Sequence, residues 1–377
     1  MRILLLGEYS NLHNTLAQGL RQLGHEVTVA SNGDFWKDYP RDIDLARRTG
    51  KIGGIALLTK VWSLLPRWKD FDVVQLINPM FLELKAERII PIYRRLRRQN
   101  RKMVLCAMGM DYYWVHECTY RKPMRYSDFN IGQQVRTDEP ALREQRDWLG
   151  TVKESLNKLI AHDCDAIVAG LYDDYVCYQP HFPQKLHFIP LPIKLSSSNI
   201  ISEAEASASS LSPDALPPKQ PLRLFIGISK GRSAYKGTDI MLQAAEAIRQ
   251  KHPDRLKIVK AEGLPFDVYQ HLMDTSDVMM DQLYSYTPAM NALLAMSKGI
   301  VVIGGGEPES YDILGEHELR PIINVEPSYD SVCQQLEQLV LHPEHIPTLK
   351  RQSVAYVQRH HDYLNVARQY DALYRSL

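Results

Sequence analysis

Short apolar runs alternate along this chain with longer segments in which apolar residues recur at helical spacing. Residues 2–6 form the first apolar run, and Gly24 ends the helix predicted after it. The apolar face of that helix consists of Leu12, Leu16, Leu20 and Leu23. This alternation predicts βαβ units around a mostly parallel sheet.

The predicted strands fall into two groups, separated by a stretch of different composition. The first group covers residues 2–6, 27–30, 73–77, 103–107, 166–169 and 187–189, and the second covers residues 222–228, 257–259, 278–281, 300–303 and 322–325. Residues 194–221, between the groups, are rich in Ser, Ala and Pro and are predicted to be a linker, because they cannot bury a core. The sequence therefore predicts an α/β protein of two doubly wound, Rossmann-like domains, residues 1–193 and 222–361.

The end of the sequence carries a helical apolar stripe with no strand after it, so residues 362–377 predict a helix that packs on another element. Two tandem domains of this kind place the carboxyl ends of their sheets opposite each other, where open α/β sheets bind ligands. The expected active site is therefore a cleft between the domains.

Composition narrows the class of protein. The chain has 377 residues, 24% of them charged, and a net charge of +1, which argues against disorder and against nucleic-acid binding. The apolar start is too short for a signal peptide, and no run approaches a membrane span, so we expect a cytoplasmic protein. The five cysteines include no C-x-x-C pair, which indicates reduced thiols and no metal site.

Positive charge is concentrated in residues 41–102, which hold 15 Lys and Arg against 6 Asp and Glu. An apolar, tryptophan-containing stretch within residues 51–69 is flanked by lysines, and residues 94–102 are rich in arginine. These segments could lie on an anionic membrane. A helix that packs on its own domain and exposes a basic face explains the pattern equally well.

The turn after the first strand is one candidate for ligand binding. Gly7 permits a close approach of the backbone, and the following helix N-terminus offers free N–H groups to an anion. A tight turn with Ser10 as the helix N-cap is the alternative. His13 could be a catalytic base facing the cleft, or an ordinary surface residue.

A second candidate is the cationic loop of residues 227–237, which follows the first strand of the second domain. It contains Lys230, Arg232 and Lys236 among three glycines and could clamp a diphosphate, although it lacks the spacing of a P-loop. The alternative is a solvated basic turn.

Two further strand-to-helix turns of the second domain have binding chemistry. In one, Thr287 could cap a helix with Pro288 at its first position, next to Tyr286 and Asn291. In the other, a turn that contains Gly305 leads to Glu307 and Glu309. These turns are expected to bind an anion or the hydroxyl groups of a ligand, with Tyr286, Asn291, Gly305, Glu307 and Glu309 as the candidate residues.

Taken together, the segments resemble the GT-B glycosyltransferases of the group-1 class, also called glycosyltransferase family 4. The resemblance covers almost the whole chain and rests on the following segments: the Gly7 turn, Gly24-His25-Glu26-Val27, Gly109-Met110-Asp111, residues 189–193, Tyr235-Lys236-Gly237-Thr238-Asp239, Ser276-Asp277-Val278, and residues 290–303. It implies a GT-B fold whose terminal helix packs back on the first domain.

The resemblance also implies roles for individual residues. Lys236 matches the lysine that holds the nucleotide-sugar diphosphate, and Lys230 and Arg232 are rival matches for an arginine of the family. The family's two paired glutamates are replaced here by Tyr286 and Leu294, and a histidine of the first domain is replaced by Met108. The missing carboxylates could come from the nearby turn that contains Glu307 and Glu309.

The implied activity is a metal-independent, hexosyltransferase-type transfer from a UDP- or GDP-linked sugar to a hydroxyl of a glycan or lipid-linked acceptor, without a cofactor, in the synthesis of cell-surface polysaccharide, lipopolysaccharide or glycolipid. Asp111, Trp114 and His116, in an aromatic-rich segment, are the expected acceptor contacts, although such aromatics also often cover a core. A catalytically silent GT-B protein and a sugar-nucleotide epimerase are the alternatives. The protein is expected in the cytoplasm, with peripheral contact at the inner face of the cell membrane.

Overall fold

A computed structural model describes residues 1–196, 220–228, 231 and 233–377. Most of the predicted linker, together with Lys230 and Arg232, lies outside the described residues. The chain divides into two compact units. The first unit contains Met1–Pro123, Leu142–Pro192 and Tyr363–Leu377, and the second contains Met124–Ala141 and Ile193–Asp362.

The first unit is built on a seven-stranded parallel sheet with the strand order β3-β2-β1-β4-β5-β8-β9. These strands are β1 (Arg2–Leu6), β2 (Glu26–Ser31), β3 (Ile43–Asp44), β4 (Val73–Leu76), β5 (Lys102–Ala107), β8 (Ala166–Ala169) and β9 (Leu186–Phe188). The central strands are mainly apolar and almost entirely buried, with Gln75 in β4 as a polar exception, because helices cover both faces of such sheets. The edge strand β3 was not predicted, since two residues carry no periodicity.

Seven α-helices lie between residues 12 and 178, and one more ends the chain. They are α1 (Leu12–Gln22), α2 (Gly50–Leu64), α3 (Ala86–Gln99), α4 (Tyr112–His116), α5 (Glu139–Trp148), α6 (Val152–Asp163), α7 (Tyr172–Tyr178) and α15 (Tyr363–Ser376). Phe35–Lys37 forms a 3₁₀ turn and Glu117–Arg121 a π-helical turn. The helix α15 packs on α1, and its buried residues Val366, Ala367 and Tyr370 belong to the same core cluster as Leu16 and Leu20. Gly19 permits this contact, because a Cβ there would lie 2.6 Å from the Cβ of Ala367.

The second unit is built on a five-stranded parallel sheet with the order β11-β10-β12-β13-β14. Its strands are β10 (Leu222–Ile228), β11 (Leu256–Glu262), β12 (Val278–Met280), β13 (Val301–Gly304) and β14 (Ile323–Asn324). Its helices are α8 (Ser233–Lys236), α9 (Thr238–Lys251), α10 (Phe266–Asp274), α11 (Met290–Ser297), α12 (Pro308–Asp312), α13 (Tyr329–Leu341) and α14 (Ile346–His361), with a 3₁₀ turn at Pro343–His345.

The second unit also includes Met124–Ala141, hereafter segment 124–141, which the sequence analysis placed in the first domain. The segment contains a small antiparallel hairpin of β6 (Asn130–Ile131) and β7 (Gln134–Val135). Side chains of the segment bind the loops that follow β10, β12 and β13. The expected domain boundary is therefore wrong at these residues, because tertiary contacts decide where a short polar hairpin packs.

Candidate functional site

The turn that follows β1 is tightly packed. Gly7 has a φ of +85°, and a Cβ at this position would lie 2.3 Å from Cγ2 of Ile77, so only glycine fits without strain. Ser10 is not the N-cap of α1. The cap position is Asn11. The backbone N–H groups of His13 and Asn14, in the first turn of the helix, donate to the carboxyl group of Glu8 at 3.1 and 2.8 Å. An anion that bound these N–H groups would have to displace the carboxyl group of Glu8 from them.

His13 does not face an open surface. It is fully buried, its Nδ1 pairs with the carbonyl oxygen of Gly7 at 2.8 Å, and its Nε2 pairs with Nε2 of Gln75 at 3.1 Å. Because Nδ1 then carries the proton, Nε2 accepts from the amide of Gln75. Burial lowers the pKa of His13 to about 4. These contacts give His13 a structural role and correct its expected role as a base that reaches a ligand.

The expected acceptor residues of the first unit contribute mainly to its interior. Asp111 caps α4 by accepting from the backbone N–H of Trp114 at 2.9 Å, and it also accepts from the hydroxyl of Tyr178 at 2.5 Å. Burial raises the pKa of Asp111 to about 6. The Trp114 side chain is buried, whereas His116 is partly exposed and pairs with the buried carboxyl group of Glu117 at 2.9 Å. Of these three residues, only His116 keeps an accessible side chain.

In the second unit, Lys236 lies in the turn that follows β10. It is the last residue of α8, is half-buried, and precedes Gly237, whose φ is +70°. A Cβ on Gly237 would lie 2.6 Å from Leu283, so the glycine lets this turn approach the loop after β12. The turn thus places a lysine at the carboxyl edge of the parallel sheet, where ligands of such sheets bind.

An acid that the sequence analysis missed lies beside this lysine. Asp281 follows β12 directly, and its carboxyl group accepts from the backbone N–H of Ala289. Burial raises the pKa of Asp281 to about 6, while the charge of Lys236 acts in the opposite direction. The position of Asp281, one residue beyond an apolar strand, was the available signal.

The helix after this loop starts later than predicted. It begins at Met290 with Ala289 as its cap residue, so Thr287 is not the cap and Pro288 is not the first helical residue. The side-chain amide of Asn291 donates to the hydroxyl of Tyr269 at 2.7 Å. Asn291 therefore fixes a neighbouring aromatic ring at this edge.

The loop after β13 lies against the loop after β12. Gly305 is required there, because a Cβ would lie 2.1 Å from the carbonyl oxygen of Ser285. The backbone N–H of Glu307 donates to the carbonyl oxygen of Tyr286 at 3.2 Å. The structure thus brings together the turns that contain Lys236, Tyr286 and Gly305.

The carboxyl groups of Glu307 and Glu309 are bound by segment 124–141. Arg125 contacts Glu307 at 2.5 Å and Glu309 at 2.7 Å, and the hydroxyl of Tyr126 donates to Glu307 at 2.5 Å. The hydroxyl of Tyr286 accepts from the backbone N–H of Arg125 at 2.7 Å. These three expected donor contacts, Tyr286, Glu307 and Glu309, hold the segment in this structure, and their contact with a donor sugar stays a prediction. The sequence offered no signal for the arginine, which lies about 180 residues away.

The described part of the chain contains no group of three His, Cys, Asp or Glu side chains arranged to hold a metal ion. None of its helices is both long enough and apolar enough to cross a membrane.

Two Rossmann-like α/β units in one chain, joined near residue 193 and with the terminal helix on the first unit, define the GT-B fold. Solved structures agree with this fold over the whole chain. HepE of Anabaena, in complex with UDP and glucose, is 14% identical with a TM-score of 0.57 over 100% of both chains. Sucrose-phosphate synthase of Thermosynechococcus elongatus is 14% identical with a TM-score of 0.60 over 100% of this chain and 99% of its own.

A third similar structure is the UDP-GlcNAc 2-epimerase of Neisseria meningitidis bound to UDP-GlcNAc, which is 12% identical with a TM-score of 0.53 over 100% of both chains. No protein-family model matches the chain, and no curated protein matches it in sequence. At these identities the similarity establishes the fold, and the activity has to be argued from the residues.

Proposed function

We propose that this protein is a glycosyltransferase that moves a hexose from a nucleotide-diphosphate sugar to a hydroxyl acceptor. The observation that carries the proposal is Lys236, placed at the carboxyl edge of the second sheet beside the loop after β12, which in turn contacts the loop after β13. Two of the structures with the same fold hold UDP with glucose or UDP-GlcNAc, which supports a uridine nucleotide as the first donor to test.

The chemistry requires stabilisation of a departing nucleoside diphosphate. Negative charge on the leaving group grows as the glycosidic bond breaks, so a fixed cation contributes more in the transition state than in the ground state. We assign this task to the ammonium group of Lys236, without a metal ion. The acceptor is proposed to be a glycan or a lipid-linked sugar of the cell surface, with His116 as the remaining expected contact in the first unit.

The experiment incubates purified protein with a panel of UDP- and GDP-sugars and measures release of the nucleotide, with and without an extract of glycan and lipid acceptors. Acceptor-dependent release of UDP or GDP is expected. Nucleotide binding without release or conversion under any condition would contradict the transferase and favour a silent binding protein.

A sugar-nucleotide epimerase is the second candidate, and the fold similarity to the UDP-GlcNAc 2-epimerase favours it specifically. An epimerase acts on the donor alone. Conversion of the sugar nucleotide in the absence of any acceptor, followed by NMR of the sugar ring protons, would establish this activity and rule out the transferase as the main one.

We further propose that the protein works in the cytoplasm and binds peripherally to the inner face of an anionic membrane through α2. On this helix Ile52, Ile55 and Trp62 are strongly exposed, at 83%, 65% and 46%. Their spacing of three and seven residues places them on one helical face. The helix contains no acidic residue, and Lys51 and Lys60 are exposed beside the face.

The arginine-rich helix adds positive charge near the same end of the first unit. Gln99, the last residue of α3, donates to the carbonyl oxygens of Leu65 and Trp68, just beyond the end of α2. The arginines at 94, 95 and 98 are exposed, whereas Arg97 pairs with Asp165. An apolar face with basic neighbours fits the interface of an anionic bilayer.

A further inference from the structure

Hydrogen bonds within segment 124–141 hold its backbone in place. The side-chain amide of Asn130 donates to the carbonyl oxygens of Met124 and Gly132, both at 3.0 Å, and the Gly132 N–H donates to the carbonyl oxygen of Arg125. Phe129 is fully buried. The segment therefore presents its polar side chains from a fixed backbone.

One of those side chains, Arg136, binds the turn that carries Lys236. Its guanidinium donates to the carbonyl oxygens of Ala234 at 3.1 Å and Tyr235 at 3.3 Å. The last carbonyl groups of a helix have no partner within it, so the guanidinium satisfies two acceptors of the short helix α8. The Arg136 side chain is only 8% exposed and is itself held by Asp138 at 2.9 Å.

The same turn is fixed by further contacts. The guanidinium of Arg136 lies 3.8 Å from the ring centre of Tyr284, and the hydroxyl of Tyr235 donates to Asp128 at 2.6 Å. The carbonyl oxygen of Lys236 accepts from the N–H of Leu283 at 3.0 Å. Three consecutive carbonyl groups, those of residues 234–236, are thus hydrogen-bonded to groups outside α8.

We infer that segment 124–141 positions Lys236 for the phosphate groups of the donor, with Arg136 and Asp128 as the positioning residues. The inference rests on the proposed function of Lys236. The physical reason is that a lysine side chain is flexible and gives its full electrostatic benefit only when its backbone is held in place. Arg136 and Asp128 supply that restraint through the backbone and the neighbouring Tyr235, and they touch no substrate in this proposal.

The test is a double-mutant cycle with UDP as the ligand, measured by isothermal titration calorimetry on the full chain. Arg136→Lys keeps the charge but replaces the planar guanidinium, which reaches both carbonyl groups and lies over the ring of Tyr284, with a single compact ammonium group. Tyr235→Phe removes the hydroxyl that donates to Asp128. Each variant is measured alone and together with Lys236→Ala. Arg249→Lys is the matched control, because Arg249 is exposed and pairs with Glu246 on α9.

Lys236→Ala is expected to weaken UDP binding by about 10- to 100-fold, as for loss of a charged hydrogen bond. Arg136→Lys should weaken it by about tenfold in the wild-type background and by less than twofold in the Lys236→Ala background. Equal losses in both backgrounds, or no loss, would overturn the positioning role. If Arg136→Lys does not fold, as judged by circular dichroism, the cycle with Tyr235→Phe decides by the same criterion.

The two proposals fail in different ways. Unchanged UDP affinity in Lys236→Ala would overturn the phosphate clamp on which the inference rests. Reduced affinity in Lys236→Ala with no coupling to Arg136 or Tyr235 would leave the clamp standing and overturn the role of segment 124–141.

Discussion

Lys236 is the residue on which the proposed chemistry depends. Replacing it with alanine removes a charge that would face the leaving group, so Lys236→Ala should lower kcat/KM by roughly 10²–10³-fold, as when a single charge-stabilising donor is lost. The measurement is steady-state release of the nucleotide. The control is Lys251→Ala, since Lys251 is exposed and pairs with Glu337. If the Lys236→Ala variant is folded and releases the nucleotide at the wild-type rate, Lys236 does not stabilise the leaving group.

The pKa of Glu316 is lowered, whereas the pKa values of the buried acids Asp111 and Asp281 are raised. Burial opposes its ionisation, but hydrogen bonds from His360, Leu319 and Glu318, with the charge of Arg359, outweigh this and lower its pKa to about 2. The folded state therefore binds the proton more weakly than the unfolded chain. Its contribution to stability is complete above the ordinary pKa of 4.5 and is lost as the pH falls towards 2.

Glu316→Gln should accordingly lower the free energy of unfolding by about 2 kcal/mol at pH 7, and the difference from wild type should shrink at pH 3. Urea unfolding at the two pH values measures it. Glu318→Gln is the control, because that side chain is 77% exposed and should change stability little. A difference that grows on acidification would contradict the assignment.

Single residues were predictable from sequence where a local motif defines them. Lys236 lies in a lysine-glycine turn after an apolar strand, and that context was enough to place it at the sheet edge. His13 and Glu307 were not predictable, because burial and partners distant in sequence decide their roles. Gln75 binds His13, and Arg125 binds Glu307.

At the scale of elements, the long apolar strands were predicted closely and the short polar ones were missed. β1, β8 and β10 have the expected bounds, since an apolar run of four to seven residues carries its own signal. The hairpin of segment 124–141 has strands of two residues, and its position depends on ion pairs with the loops of the second sheet. Such pairing leaves no periodic pattern in the sequence.

The exposed face of α2 gives a prediction at the same scale. Ile55→Asp should weaken binding to vesicles of anionic phospholipid by about tenfold or more, because it removes apolar area from the interface and adds a repelled charge. Co-sedimentation at low and high salt measures it. Val268→Asp, at an exposed apolar position of the second unit, is the matched control. Failure of the wild-type protein to sediment with vesicles even at low salt would exclude this membrane contact.

At the scale of the whole molecule, we expect the terminal helix α15 to contribute a large share of the stability of the first unit. Ending the chain after Asp362 removes α15 and with it Val366, Ala367, Tyr370, Leu373 and Tyr374, all buried. Each large apolar side chain contributes about 1.5–3 kcal/mol on burial, and the sum is comparable to the whole stability of an ordinary domain.

The shortened protein should therefore lose its near-ultraviolet circular dichroism and bind the dye ANS. Ending the chain after Tyr374 instead keeps the buried positions and should retain most of the stability. A wild-type melting temperature for the chain that ends at Asp362 would contradict the importance of this helix.

Neither unit is a continuous stretch of the chain, and this affects biosynthesis. While the ribosome is still translating the second unit, α1 has no α15 to cover the face formed by Leu16, Ala17 and Leu20. The first unit can complete its core only after residues 363–377 have left the exit tunnel, although its own sheet was synthesised long before. The nascent protein thus carries an uncovered apolar face through most of translation, and such a face promotes aggregation until α15 covers it.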